Sequence, residues 1–206
     1  MKKMAEQISE TRHETGVLKE TCPLKNGKPH GEVLSYDPAG ALLLRAHAVE
    51  GVLQGPATTF NADRSIAHTS NFKDGKLAGE MQVFVAGKVK AKLPYKEGLL
   101  EGEAVFFDEI GLVSSRALYK GGLLDGESSW FDASGQVLKR AIYRQGKLHG
   151  PVADFFPNGQ PREVTHYAND LLDGERATYH DNGKLIERVH YKDGKPLSEI
   201  SAKRSY

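Results

Sequence analysis

The 206-residue sequence predicts an all-β fold, an elongated, twisted antiparallel sheet of stacked β-hairpin repeats. Three observations predict it. Glycine is frequent, at 22 residues, while hydrophobic residues reach only 39%, a balance that suits short strands joined by tight turns better than helices burying an apolar stripe. The text repeats with a period of 24: Tyr95, Tyr119, Tyr143, Tyr167 and Tyr191 are evenly spaced, and Phe72 precedes Tyr95 by 23. Gly31, Gly55, Gly79, Gly102, Gly126, Gly150 and Gly174 keep the same interval except for one residue fewer between Gly79 and Gly102, and each is followed five residues later by Tyr36, Phe60, Phe84, Phe107, Phe131, Phe155 or Tyr179.

Taken in order, residues 1–15 form an N-terminal flank or cap, and residues 16–206 the repeat domain. "GVLKETCPL", from Gly16, resembles the second strand of an incomplete first unit. Seven full hairpins follow. In each, strand one runs from the opening glycine to the aromatic, and strand two from a turn glycine to the tyrosine row. Turns such as "DASG", "PNG" and "DNG" place glycine where a positive φ is needed. The linker "Y-x-x-G-x-L-x-G" begins the next unit. "SEISAK", from Ser198, reads as a closing strand in which Lys203 replaces the aromatic, as an end cap facing water requires.

Acid and base vary together from unit to unit. The positions after the opening glycine and five after the turn glycine read Glu32/Arg45, Glu80/Lys92, Glu103/Arg116, Glu127/Arg140 and Glu175/Arg188, against Pro56/Thr69 and Pro151/Val164. With Phe107 opposite Leu112, Glu103 falls opposite Arg116, so these are read as structural cross-strand pairs that specify register. Strict alternation places the aromatic and tyrosine rows on opposite faces. Either a bulge at the turn reunites them or the sheet uses both faces.

Other features limit function. A net charge of +1 lacks the basic excess of nucleic-acid binders. Cys22 is the single cysteine, so no internal disulfide forms, and it reads as a small buried thiol. No catalytic fingerprint appears, and no metal or cofactor is expected. His47, His166 and His190 share one position in three units and read as surface residues. As written, the chain has no export signal or transmembrane run and is expected to be cytoplasmic, or periplasmic if a signal has been removed.

The pattern "Y-x-x-G-x-L-x-G-E-x-x-x-F" resembles the MORN (membrane occupation and recognition nexus) repeat over residues 16–200, in the bacterial variant found among antitoxin and immunity proteins. The resemblance implies seven stacked hairpins extending roughly 70 Å and a non-enzymatic scaffold. Its implied partner is a protein, a bacterial toxin or effector such as a phospholipase exported by type VI secretion. Positions that vary between repeats are free to recognise it. Four residues after the opening glycine stand Ser35, Thr59, Val83, Phe106, Trp130, Asp154 and Thr178, polar at the ends and apolar in the middle. Val83, Phe106 and Trp130, with Leu118 and Ile142 from the position before the tyrosine row, are the candidate partner-binding residues. The alternative is a membrane-surface or lipid-binding scaffold, which predicts a basic patch that the dispersed Lys and Arg do not form.

Overall fold

The positive-φ glycines set the architecture. In the computed structural model, which describes residues 7–201 and side chains as far as residue 197, every described element is a strand and every described pairing is antiparallel. Lys203 lies outside the described residues. The chain divides into two units, Met1–Leu99 and Leu100–Tyr206.

The first unit opens with Gln7–Arg12 paired to Leu18–Lys25, so part of the flank is itself a strand. Hairpins 1 to 3 follow: Gly31–Tyr36 with Leu42–Val49, Gly55–Phe60 with Ile66–Lys73, and Gly79–Val85 with Lys88–Lys96. The second unit holds hairpins 4 to 7. These are Gly102–Phe107 with Val113–Lys120, Leu123–Phe131 with Val137–Arg144, Lys147–Phe155 with Pro161–Ala168, and Leu171–Tyr179 with Leu185–Lys192. Lys195–Ser201 closes it.

Both ends of each strand are tight turns. At one end, Asp132 accepts hydrogen bonds from Ser134 N and Gln136 N at 2.8 and 2.9 Å, which fixes the "DASG" corner. At the other, the linker is also a two-residue turn: Gln145 and Gly146 have φ of 50 and 82°, the paired left-handed conformation that matches strand twist. Acids placed one residue before the opening glycine brace these turns. Glu101 accepts from Gly121 N at 2.7 Å, and Asp125 from Gln145 N at 3.1 Å.

The register differs from the sequence expectation. Phe107 lies opposite Val113, not Leu112, and Glu103 lies opposite Leu118, while Arg116 faces Val105. A bulge just before the aromatic in every hairpin is the cause, inserting Ser114 between Val113 and Ser115 in hairpin 4. It leaves the two aromatic rows on opposite faces. One face, here the tyrosine face, carries Tyr119, Ala117, Ala104, Ser115 and Phe106; the other, the phenylalanine face, carries Leu118, Glu103, Arg116, Val105, Phe107 and Val113. Both faces are in use.

The ion pairs survive the changed register because the partners sit diagonally on one face. Arg45–Glu32, Arg116–Glu103, Arg140–Glu127 and Arg188–Glu175 close at 3.3, 3.3, 3.7 and 3.2 Å. Among the described residues Glu80 and Lys92 form no such pair; Gln82 Nε2 donates to Glu80 Oε1 at 2.7 Å instead.

Among the described residues, burial is carried by small side chains. The fully buried residues are small, including Ala57, Ala104, Ala141 and Ala177, and the bulkiest side chain below 2% exposure is Ser128. Cys22 packs with Val33, Ala48 and Leu53 in the first unit, and burial pushes its thiol pKa up, which keeps it protonated and unreactive. The opening glycines show why the strands come so close. At Gly126, with φ of 117°, an added Cβ would lie 2.9 Å from Leu118 Cδ1; at Gly174, with φ of 113°, it would lie 3.0 Å from His166 Cβ.

Gly126→Ala is therefore expected to cost about 2–3 kcal/mol, backbone strain plus steric displacement of Leu118. Gly135→Ala, with φ of 82° and nothing within 4 Å of an added Cβ, should cost only about 1 kcal/mol. Urea denaturation of the two variants measures the difference, and equal costs would contradict the close-approach account.

Candidate functional surface

Across the strands of the second unit, the tyrosine face is layered in three rows. Nearest the linker turns are Tyr119, Tyr143, Tyr167 and Tyr191, paired across strands with Leu124, Leu148 and Leu172 or with the opening glycines. The middle row is Ala104, Ala117, Ser128, Ala141, Val152 and Thr165, all buried. Nearest the corners runs a row that changes chemistry from hairpin to hairpin: Phe106, Ser115, Trp130, Lys139, Asp154, Glu163, Thr178 and Glu187.

Of the candidate partner-binding residues, Phe106 and Trp130 lie together in this variable row. They are half-buried, two strands apart through Ser115, a separation of roughly 10 Å. Val83 holds the equivalent station in the first unit, opposite His68 and Ala91. Leu118 and Ile142 occupy the other face and have packing partners of their own, covering Gly126 and Gly150. The structure thus brings Phe106 and Trp130 together and sets Leu118 and Ile142 behind them.

Beyond Trp130 the same row becomes charged. Trp130 faces Lys139, Lys139 faces Asp154, and Asp154 faces Glu163. Two carboxylates directly opposite each other repel, and the neighbours compensate. Arg162 reaches Asp154 at 4.0 Å, Arg176 Nη2 donates to Glu163 Oε2 at 2.9 Å, and Thr165 Oγ1 donates to Glu163 Oε1 at 3.1 Å. The Arg176 guanidinium, followed by the Thr165 hydroxyl, holds the Glu163 carboxyl below the usual range against the opposing effect of burial. Glu163 in turn raises the Arg176 pKa, with Tyr191 adding to it.

Sequence reasoning missed this cluster. The signal was present: Arg176 stands two residues after an opening glycine, where Val33, Ala57, Met81, Ala104, Ser128 and Val152 stand in the other hairpins. Ser128 is the polar member of that set with no hydrogen-bond partner, its hydroxyl buried beside Ala117 and Ala141. Of the histidines, His166 engages the Glu175 carbonyl at 2.9 Å, and His190 approaches the Glu175 carboxylate at 3.9 Å.

Because Glu163 is depressed in the folded state, its contribution is present above the ordinary glutamate value of about 4.3 and is lost as pH falls through the lower folded value. Wild type is expected to exceed Glu163→Gln in urea midpoint at pH 7, with the gap narrowing by pH 3. Glu127→Gln, which removes one of the exposed pairs, should stay within about 0.5 kcal/mol of wild type throughout.

Three consecutive segments, residues 124–145, 148–169 and 172–193, match the family model described as a MORN repeat variant. No curated protein matches the chain. Among solved structures, an S. aureus TarM mutant in complex with fondaparinux, α-GlcNAc-glycerol and UDP aligns at 15% identity over 46% of this chain and 19% of its own, with a TM-score of 0.35. A GtfA/B complex bound to UDP and GlcNAc aligns at 14% identity over 54% and 22%, with a TM-score of 0.27. TcdB2-TccC3 aligns at 11% identity over 89% and 13%, with a TM-score of 0.25. The chain thus spans at most 22% of the length of these structures. The matched segments fall on hairpins 5 to 7, which are MORN-variant repeats and indicate a repeat-based binding scaffold, and the same bulge and facing rows recur in the unmatched hairpins.

Proposed function

We propose that this scaffold is non-enzymatic and acts as an antitoxin or immunity protein, neutralising a bacterial toxin or effector by binding it directly. The observation that carries the reading is the variable row on the tyrosine face. Repeated positions are committed to holding the sheet, whereas Phe106 and Trp130 are presented side by side, with Lys139 and Asp154 at their flank. Two aromatic anchors bordered by charged residues have the composition of a protein-binding centre. The MORN-variant repeats support a binding role, and the antitoxin assignment extends it. Occlusion is the mechanism: a flat, preformed surface covers the effector's working face without itself rearranging.

The test is co-expression with the product of the adjacent gene. Wild-type protein should restore growth and co-purify with that product, and Trp130→Ala should weaken the complex by about 2 kcal/mol, roughly 30-fold. Trp130 is the single tryptophan, so its fluorescence should shift on titration with the partner. Absence of rescue by the wild-type protein, or a complex that Trp130→Ala leaves at full affinity, would refute the reading.

A further inference from the structure

Two sulfur atoms lie among the described residues, those of Cys22 and Met81, and their surroundings differ. Cys22 is 3% exposed and packs with Val33 and Ala48, where burial keeps its thiol protonated. Met81 stands two residues after an opening glycine, at the middle-row station of hairpin 3. Val33, Ala57, Ala104, Ser128 and Val152 hold that station in other hairpins and are all buried. Met81 is partly exposed.

The residue opposite accounts for the difference. Ala104 faces Ala117 and Ser128 faces Ala141, but Met81 faces Leu93. Two long side chains occupy a place that two small ones fill elsewhere, so the pair rises toward the surface of the row. Leu93 is likewise partly exposed. The Met81 thioether is therefore within reach of a small solute while still packed against the sheet. The Cys22 thiol is packed but out of reach.

We infer that Met81 is a site of reversible oxidation, at which a peroxide converts the thioether to the sulfoxide and loosens hairpin 3. A sulfur lone pair attacks one oxygen of hydrogen peroxide, so that an S–O bond forms as the O–O bond breaks. The departing hydroxide takes the proton of the transferred hydroxyl and leaves as water. Sulfur gives up two electrons, and the peroxide takes them. The product carries an oxygen that accepts hydrogen bonds on a side chain that was apolar. Leu93, directly opposite, has no side-chain donor to offer it. The oxygen is left to find water, and turning toward it draws the side chain out of the row. Val83 follows on the same face, opposite Ala91, so the disturbance reaches the station that precedes the corner.

Hydrogen peroxide treatment of the full chain, followed by peptide mass mapping and amide hydrogen exchange, tests it. Met81 should gain one oxygen while Cys22 remains a thiol. The amides of Gly79–Val85 and Lys88–Lys96 should then exchange about ten-fold faster, with hairpins 5 to 7 unchanged. The two methionine sulfoxide reductases, one for each epimer, should restore slow exchange. Met81→Leu, a substitution of similar volume, should pass through the same treatment with its exchange rates unaltered. Four results would overturn the inference: a Met81 still unoxidised when Met1 and Met4 have been converted, exchange that Met81 oxidation leaves unaffected, an equal acceleration in Met81→Leu, or no recovery with the reductases. None of them depends on effector rescue.

Discussion

At Gly31, Gly126 and Gly174 a neighbouring side chain crowds the space a Cβ would need, while at Gly55 and Gly79 that space is open. Pro23, Leu118, Ile142 and His166 lie over Gly31, Gly126, Gly150 and Gly174, the last three with φ between 113 and 117° and Gly31 at 130°. At those junctions this approach couples one hairpin to the next. Backbone pairing alone joins strands without fixing which repeat face meets water. A side chain from one strand seated on the bare backbone of the following strand excludes the alternatives, because any slip would bring a Cβ under it. At Gly31, Gly126 and Gly174 glycine is therefore a packing requirement as well as a turn signal.

Much of this was legible from spacing alone. Strand positions and corner turns follow from the 24-residue period, and four of the five covarying acid–base pairs form, Glu80 and Lys92 being the exception. What spacing could not give was the extra residue in each second strand. Ser114 and its counterparts are ordinary residues, and nothing in their identity marks a bulge, yet the bulge decides that Arg116 faces Val105 and that the two aromatic rows remain on opposite faces. Leu118 and Ile142 were legible as apolar residues of the central repeats. Their role as covers for Gly126 and Gly150 depends on a close contact between strands that a linear pattern does not contain.

The two faces divide the labour. The phenylalanine face is conservative from repeat to repeat, with one Glu–Arg diagonal and one aromatic in most hairpins, so its properties recur with the period of the sheet. The tyrosine face keeps two of its three rows for the scaffold and releases the third. Along that third row the chemistry runs from Phe106 and Trp130 to Lys139, Asp154 and Glu163 within three hairpins.

Buried small residues are what make that division possible. Ala104, Ala117 and Ala141 fill the buried middle row with small side chains, so the variable row is not needed for packing there. A position released from packing can take Trp in one repeat and Asp in the next at little cost to folding. Arg176 shows the limit of this freedom. Placed in the middle row, where small residues are the rule, it is kept there by Glu163 and Tyr191, and the neighbouring Glu163 is held ionised in return. A charge entering the packed row had to bring its partner with it, and this requirement separates the positions that hold the sheet from those, such as Glu187, that are exposed to water.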